Sequence, residues 1–318
     1  MTRTKIGLGL AALGRPEYIN LRSQRDPDKS IEAYRQNAFR VMDYAYKNGI
    51  RHFDTAASYG KGEQFLLDWN RQHAYKDVQL SSKWGYSYVA NWEIGFKGAH
   101  EIKEHSLAKL MEQWQKAREM LPALETYQIH SATFESGVLE NTDVLRMLHK
   151  IKESSGLKIG ISVSGHNQSE VLRAALSVKV NDNPLFDSYQ ATYNILEQSC
   201  FSILKEIIQS NKTVMIKEGL ANGRLFENQK FSHYNHLYKL LKDLSEKYGV
   251  GPDAIALRFI MDSLQPQLLL SGAFNTSQLS QNLKATTIKL EQNDLTKLYA
   301  LGLDRDRYWK ERSLLLWH

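Results

Sequence analysis

The sequence has little cysteine and no long apolar run. Cys200 is the single cysteine among 318 residues, so no disulfide can form within the chain, and a lone thiol in a chain of this size suits a reducing compartment. No segment comes near the roughly 18 consecutive apolar residues of a transmembrane helix, and no apolar leader with flanking basic residues opens the sequence. We therefore expect a cytoplasmic protein that does not cross a membrane.

A large excess of one charge is also missing. The 41 lysines and arginines nearly balance the 35 aspartates and glutamates, which gives a formal net charge of +6, and the basic residues are scattered along the chain. This pattern argues against a protein that binds nucleic acid. A mild positive balance can still help to attract an anionic ligand, such as a phosphorylated cofactor. The 42% of hydrophobic residues is enough for a large folded core.

Short apolar or β-rich runs alternate with longer segments of helical periodicity, which is typical of a parallel sheet with crossover helices. Eight such runs predict strands at Ile6–Leu10, Arg51–Asp54, Val78–Ser82, Glu125–Ile129, Leu157–Ser162, Ser188–Thr192, Thr213–Ile216 and Leu268–Ser271. Helices are predicted at Asn37–Lys47, Leu107–Met120, Val144–Glu153, Gln168–Ala175, Phe201–Gln209, Leu237–Lys247 and Ala254–Met261. The pattern therefore predicts that residues 1–318 form one (β/α)₈ barrel, because such barrels routinely reach this length as a single domain.

Three segments are predicted to lie as loops over the barrel mouth and to determine substrate specificity: Pro16–Gln36, Tyr86–Glu104 and the tail from Asp304. The tail has two interpretations, a lid that folds over the mouth or a terminal helix that packs on the barrel. Aromatic residues near the mouth indicate an apolar or sugar-stacking substrate pocket. The residues predicted to line it are Trp84, Tyr86 and Trp92, with Tyr88 and Phe96 nearby.

Polar residues close three of the predicted strands, which is where barrel enzymes carry their catalytic groups. Asp54 closes the second strand and Tyr59 follows in the next loop, while Lys83 closes the third strand and His130 the fourth. Singly, each has an ordinary structural interpretation, as a turn residue, a solvated lysine or one of 16 packing tyrosines. Together, we expect them to converge, because adjacent strands lie side by side and an inward lysine needs a partner.

Such a set suits hydride transfer to a carbonyl. Hydride addition creates an alkoxide, which needs a proton donor within hydrogen-bond reach. A free phenol has a pKa near ~10, and a neighbouring ammonium lowers that pKa. We therefore predict Tyr59 as the proton donor and Lys83 as the group that lowers its pKa. Asp54 would hold Lys83 in place, and His130 would orient the carbonyl or relay a proton.

These residues belong to a longer series of motifs. The series comprises Gly7-Leu8-Gly9, Phe53-Asp54-Thr55-Ala56, Ser58-Tyr59-Gly60, Ser82-Lys83-Trp84, Gln128-Ile129-His130, Ile159–Ser164, Gln190 with Tyr193-Asn194, Leu220–Leu225, Leu270-Ser271-Gly272 and Gln281-Asn282. In order and spacing it resembles the aldo-keto reductase superfamily over nearly the whole chain. The resemblance implies a catalytic tetrad of Asp54, Tyr59, Lys83 and His130. It also implies a nicotinamide cofactor across the barrel mouth, and no GxGxxG turn of a Rossmann fold is present.

By the same resemblance, Ser164 and Gln190 would bind the nicotinamide carboxamide. The loop Lys217–Gly223 would cover the pyrophosphate, and the segment Gly272–Asn282 would hold the adenosine end at a helix N-terminus. The implied cofactor-binding residues are Gly9, Ser164, Gln190, Lys217, Gly219, Leu220, Asn222, Gly223, Gly272, Gln278 and Asn282. The implied substrate is a small carbonyl compound or alcohol.

Three positions depart from the family pattern. Gly165 stands where many members have asparagine, and Lys217-Glu218 stands where many place an aromatic ring on the nicotinamide. Gln278 stands where members that prefer NADP(H) carry a basic residue, which weakens the clamp on a 2′-phosphate. Arg224 or Lys284 would have to compensate. From the family, NADP(H) is the first expectation and NAD(H) the alternative.

Two other functions match parts of the sequence. One is a cofactor-binding regulatory subunit on the same fold with slow or no turnover, and the intact tetrad argues against it. The other is a metal-dependent barrel hydrolase that would use His130 and Asp54 as ligands. No paired histidine spacing supports a metal site, and we expect none. Cys200, at a predicted helix start, is expected to be inert.

Overall fold

A computed structural model describes residues 4–19 and 28–317. In that part of the chain, eight parallel strands close into a barrel. The strands are β1 (Lys5–Gly9), β2 (His52–Asp54), β3 (Gln79–Trp84), β4 (Leu124–Ala132), β5 (Lys158–Val163), β6 (Ser188–Thr192), β7 (Thr213–Lys217) and β8 (Leu268–Ser271). Neighbours in the barrel follow the order of the chain, and β1 pairs with β8 to close it. The predicted (β/α)₈ barrel is confirmed.

Helices cover the outside of the barrel. Those in the described residues are α1 (Ile31–Lys47), α2 (Gly62–His73), α3 (Leu107–Ala117), α4 (Thr142–Ser155), α5 (Gln168–Ser177), α6 (Phe201–Gln209), α7 (Asn235–Tyr248), α8 (Pro252–Ser263), α9 (Thr276–Leu283), α10 (Gln292–Tyr299) and α11 (Arg305–Ser313). The main apolar core lies between these helices and the strands. None of the described helices is long and apolar enough to cross a membrane.

Capping residues explain where several helices begin and end. The side chains of Ser30, Asn141 and Asn275 accept hydrogen bonds from backbone N–H groups in the first turns of α1, α4 and α9. Gly156 ends α4 with a φ of 72°, in the left-handed region that favours glycine. These ends set the length of each αβ connection, so they fix where the next strand enters the barrel.

The barrel interior is polar close to its mouth. Gln128 and Gln190 both donate to Asp54 Oδ1, at 3.4 and 3.2 Å. Gly160 leaves room for the first of them, because a β-carbon at Gly160 would lie 2.7 Å from Gln128 Cγ. A separate apolar cluster inside the barrel consists of Met215, Leu268 and Leu270. The interior is therefore a packed core that presents a carboxylate towards the mouth.

Three predicted segments differ from the structure in a defined way. The predicted helix Leu107–Met120 is split, because α3 ends at Ala117 and a 3₁₀ turn covers the next three residues. Pro122 follows closely, and the residue before a proline disfavours the α conformation. The insertion Tyr86–Glu104 is not all loop: it contains an antiparallel pair whose strands are Tyr86–Tyr88 and Glu101–Lys103. The predicted mouth loop Pro16–Gln36 is also not all loop, because α1 begins at Ile31 and includes its last six residues, and residues 20–27 lie outside the described residues.

The C-terminal tail is docked on the barrel and also reaches its mouth. Tyr308 on α11 is buried; its hydroxyl accepts from Asn194 Nδ2 at 3.0 Å and its carbonyl from Arg224 Nη1 at 3.2 Å. Further along, the ring of Trp317 stacks on His100 with a centroid distance of 4.5 Å. The terminal-helix interpretation therefore describes α11, whereas the end of the tail lies across the mouth.

Candidate active site

A cavity of about 1010 Å³ opens at the C-terminal ends of the strands. Asp54, Tyr59 and His130 line it, and Lys83 lies directly behind them. All the residues predicted to bind the cofactor line the same cavity: Gly9, Ser164, Gln190, Lys217, Gly219, Leu220, Asn222, Gly223, Gly272, Gln278 and Asn282. The structure thus brings the predicted catalytic and cofactor-binding residues to one place.

Lys83 connects the predicted catalytic residues. Its Nζ lies 2.5 Å from Asp54 Oδ2 and donates to Thr55 O at 2.8 Å and to the Tyr59 hydroxyl at 3.5 Å. Asp54 Oδ1 also accepts from Ser81 Oγ at 2.7 Å. Asp54 pairs with Ser81 across β2 and β3, and Lys83 lies two residues further on the same face of β3. Both charges are buried and hydrogen-bonded, as a buried ion pair requires.

A tight loop after β2 presents Tyr59. Gly60 has a φ of 59°, and the loop packs directly on Gly14, where a β-carbon would lie 2.2 Å from Tyr59 O. Glycine at position 60 allows the left-handed turn, and glycine at position 14 allows the close backbone approach, because neither has a β-carbon. The Tyr59 ring meets the ring of His130 edge-on, with centroids 5.5 Å apart. The phenol is therefore held between β2, β4 and the loop after β1.

The Tyr59 hydroxyl is protonated in this site. Burial raises the pKa of Tyr59, Asp54 raises it further, and Arg15 acts in the opposite direction. Burial therefore dominates the net pKa, and the predicted role of Lys83, to lower the pKa of Tyr59 from 3.5 Å away, stays a prediction. The protonated phenol is the form that can donate a proton to an alkoxide.

His130 is a neutral imidazole at the same place. Burial lowers its pKa well below the ordinary value, and the positive charges of Lys83 and Lys217 lower it further. Its Nδ1 lies 3.4 Å from Ser58 Oγ, and the Tyr86 ring lies 4.9 Å away. A neutral imidazole can donate one hydrogen bond and accept another, which suits a group that orients a substrate oxygen.

Comparison with known families agrees with this geometry. The model of the Aldo/keto reductase family matches residues 5–302. The chain belongs to the aldo/keto reductase family. Family membership makes it an oxidoreductase.

Individual aldo/keto reductases are distant in sequence. The chain is 20% identical to "Probable aldo-keto reductase 1" of Glycine max over 284 residues, which cover 83% of this chain and 79% of the relative. It is 22% identical to pyridoxal 4-dehydrogenase of Microbacterium luteolum, with 89% of each chain covered. The holo form of an aldo-keto reductase from Bacillus halodurans superimposes with a TM-score of 0.68 at 19% identity, covering 96% of both chains.

The loop Lys217–Gly223 of this aldo/keto reductase, which is predicted to cover a pyrophosphate, offers groups that match a dinucleotide. Asn222 Oδ1 is buried and has no hydrogen-bond partner within the described ranges, and it faces the cavity. A ribose hydroxyl would satisfy such an acceptor, because a buried polar atom without a partner is costly. Gly272 has open space above its Cα, so a ligand can approach the backbone there. The residues present therefore fit a nicotinamide dinucleotide.

Amides and a carboxylate line the end of the cavity that is predicted to bind the adenosine. Gln278 Oε1 accepts from Phe274 N at 2.8 Å. The Asn282 amide lies 2.8 Å from both Ser271 Oγ and Asp253 Oδ2, and it satisfies both when its oxygen accepts from the serine and its nitrogen donates to the carboxylate. The described segments that line this end, 251–253 and 271–282, contribute no lysine or arginine.

Neither residue considered as compensation for Gln278 reaches the cavity. Arg224 is fully buried and donates to Ala221 O and Tyr308 O, at 3.0 and 3.2 Å, so it anchors the tail. Lys284 is exposed after α9 and does not line the cavity. Neither side chain lines the cavity, but the charge of Lys284 acts on Asp253, which does, so compensation by Lys284 stays a prediction.

Two of the three predicted substrate-pocket residues do not line the cavity. Trp84 follows the inward-pointing Lys83 on β3, and successive side chains of a strand face opposite sides, so Trp84 packs outside the barrel. Trp92 donates its indole N–H to Lys29 O at 2.7 Å and packs edge-on against Tyr34. These two predictions are corrected, whereas Tyr86 lines the cavity. The aromatic lining also includes Tyr18, Trp309 and Trp317.

Sequence reasoning missed Arg15, a buried cation beside Tyr59. Its Nη1 donates to Glu101 Oε1 at 2.7 Å and to Ser58 O at 3.3 Å. Its guanidinium lies over three aromatic rings. The distances to the ring centroids are 4.9 Å for Tyr18, 5.0 Å for Tyr59 and 4.7 Å for Trp317. The sequence feature that could have indicated Arg15 is its position in the loop after β1, since that strand ends at the same barrel mouth.

The structure gives less support to a metal site or a nucleophilic cysteine. Among the described residues, no group of three or more His, Cys, Asp or Glu side chains is placed to hold a metal ion. Cys200 is buried at the start of α6, its thiol donates to Thr192 O at 3.2 Å, and burial raises its pKa well above the ordinary value. A thiol in that state is a poor nucleophile.

Proposed function

We propose that this aldo/keto reductase interconverts a small carbonyl compound and the corresponding alcohol, with Tyr59 as the proton donor and acceptor. The main support is the buried chain of hydrogen bonds from Asp54 through Lys83 to the Tyr59 hydroxyl. Tyr59 lines a cavity that is large enough for a dinucleotide. The reduced nicotinamide supplies a hydride when it is bound. Its carboxamide would be held by Ser164 and Gln190.

The side chains perform the proton transfer in this proposal. As the substrate oxygen gains negative charge, the Tyr59 hydroxyl donates its proton to that oxygen. Lys83 Nζ stabilises the phenolate that remains, and Asp54 keeps the ammonium in position. The neutral His130 donates a hydrogen bond to the same oxygen, which orients and polarises it. Alcohol oxidation runs the same steps in reverse, with the phenolate as the base.

For the cofactor, we favour NAD(H) over the NADP(H) expected from the family. A cation binds a 2′-phosphate most strongly, and the described residues that line this end of the cavity supply amides, serine hydroxyls and the Asp253 carboxylate but no lysine or arginine. A carboxylate close to the ribose repels a phosphate and can accept from a hydroxyl, as acidic residues do in other dinucleotide sites. Asp253 therefore supports the dinucleotide without the extra phosphate.

For the substrate, the lining supports a molecule with a flat or apolar face. Tyr18, Tyr86, Trp309 and Trp317 line the mouth beside Tyr59. Aromatic walls with a few convergent polar groups are typical of pockets for small organic ligands. The name of the Microbacterium relative, pyridoxal 4-dehydrogenase, indicates one compound of this shape to include in a panel.

The test starts from the full chain without ligand. Intrinsic fluorescence should be quenched by NADH at lower concentrations than by NADPH. A panel of aromatic aldehydes, sugars and cyclic alcohols should then produce cofactor turnover with at least one compound. Binding without turnover on any of these would favour the regulatory-subunit alternative, and failure of both dinucleotides to bind would contradict the proposal.

A further inference from the structure

Lys217 is a buried cation at the nicotinamide end of the cavity. It closes β7, lines the cavity and has a side chain that is 16% exposed. Its Nζ donates to Ser164 Oγ at 2.8 Å and to Thr192 Oγ1 at 3.0 Å. Both acceptors are neutral hydroxyls. The ammonium therefore sits one hydrogen bond from Ser164, a residue assigned to the nicotinamide carboxamide.

The carboxylate next to this lysine in sequence is paired with another group. Glu218 has a φ of 53°, which turns its side chain away from the direction of β7. Its Oε1 lies 2.7 Å from Arg312 Nη2 and 4.0 Å from Lys217 Nζ. Burial opposes ionisation of Glu218, but Arg312 and Lys217 outweigh it and hold its pKa at about 2. Because one carboxylate is shared by two cations, Lys217, Glu218 and Arg312 together keep one uncompensated positive charge, and all three residues line the cavity.

We propose that the Lys217 ammonium makes this site bind the reduced, uncharged nicotinamide more tightly than the oxidised, positively charged ring. The inference rests on the proposed function, because it takes the nicotinamide to lie beside Ser164. An aromatic ring at this position would stack on both forms of the cofactor. A cation instead repels the oxidised ring and is attracted to the face of an electron-rich one.

The expected size of the effect is large enough to measure. With an effective dielectric constant of about 20, two unit charges several ångströms apart interact strongly enough to change a binding constant by more than about tenfold. The repulsion acts only on the oxidised ring, so the ratio of the two dissociation constants reports it directly. Changes in shape or packing at Lys217 would affect both forms and largely cancel in that ratio.

The preference should depend on pH. Burial lowers the pKa of Lys217 to about 8, against the opposing effect of Glu218. The ammonium is therefore charged at neutral pH and loses its proton in alkaline solution, so the preference should be present at about pH 7 and weaken towards about pH 9. The other charged or titratable groups that act on this lysine are Arg312, Lys83, Cys200 and His130.

The experiment measures four binding constants at each of two pH values, on the unliganded full chain, by fluorescence titration or calorimetry. NADH and NAD⁺ are titrated into the natural protein and into Lys217→Met, at about pH 7 and about pH 9. At the lower pH the natural protein should bind NADH at least about tenfold more tightly than NAD⁺. In Lys217→Met the ratio should fall towards one at both pH values. Lys217→Arg should keep the preference even at the higher pH, because arginine stays protonated.

The controls separate this inference from the proposed function. Lys310→Met removes an exposed lysine of α11 and should leave the ratio unchanged. Equal binding of the two forms by the natural protein, or a full preference in Lys217→Met, would overturn the role of Lys217 while leaving the oxidoreductase proposal intact. Failure of both forms to bind would overturn both. The pH series needs no substitution, so it decides the question even if Lys217→Met does not fold.

Discussion

The ammonium of Lys83 lies 2.5 Å from the carboxylate of Asp54, and both side chains are almost completely buried. Each charge is costly to bury alone, so neither residue is independent of the other. The pair places one positive charge beside the Tyr59 hydroxyl without adding net charge to the barrel interior. This arrangement can stabilise a phenolate when it forms, while the phenol stays protonated at rest.

Replacing Tyr59 with phenylalanine should remove the proton donor alone. We expect kcat for carbonyl reduction to fall by about 10²–10⁴, the range that a positioned general acid contributes. The dissociation constant for the dinucleotide should change little, because only a hydroxyl is lost. Steady-state kinetics and a fluorescence titration measure the two effects. Tyr75→Phe, on the outside after α2, is the matched control, and normal turnover by Tyr59→Phe would refute the assigned role.

Breaking the buried ion pair should destabilise the fold. Asp54→Asn keeps the shape of the side chain but leaves Lys83 as an uncompensated buried charge, at an expected cost of about 3–5 kcal/mol in the free energy of unfolding. Urea denaturation measures it. The double variant Asp54→Asn with Lys83→Met should recover part of that loss, since no unpaired charge remains. Strictly additive losses in the double variant would show that the pair is not coupled.

The sequence predicted those parts of the site that follow from strand geometry. Asp54, Lys83 and His130 were found because polar residues at strand ends must meet at one mouth. The same geometry excludes Trp84 from the cavity, since it alternates with the inward Lys83, and that step was missed. The Arg15–Glu101 pair joins the loop after β1 to a strand of the insertion 86 residues away, and no local pattern predicts such a contact. Pairing between such distant segments depends on how the folded barrel places them.

Introducing a cation at Gln278 should change the cofactor preference. Gln278→Arg would place a guanidinium in the adenosine end, where the described residues supply none, and we expect the ratio of NADPH to NADH affinity to rise by about tenfold or more. The lost bond to Phe274 N should cost only about 1 kcal/mol in stability. Titration with both dinucleotides measures the shift. Gln292→Arg, on the exposed side of α10, is the control for added charge. An unchanged ratio of NADPH to NADH affinity in Gln278→Arg would indicate that the 2′ position of the adenosine ribose lies elsewhere.

Arg15 should influence the protonation of Tyr59 through its charge. Burial and Asp54 raise the pKa of Tyr59, and Arg15 opposes them, so removing Arg15 should raise that pKa further. Alcohol oxidation requires the phenolate, so the kcat/KM profile for oxidation should be displaced towards higher pH in Arg15→Met.

A second substitution distinguishes charge from packing in this region. Glu101 raises the pKa of Tyr59, as Arg15 lowers it. Glu101→Gln should therefore displace the oxidation profile towards lower pH, opposite to Arg15→Met, although both break the same ion pair. Arg35→Met, which removes a guanidinium lying 4.4 Å above the ring of Phe39 on α1, should leave the profile in place. Displacement in the same direction by both ion-pair variants would indicate that Arg15 acts by packing alone.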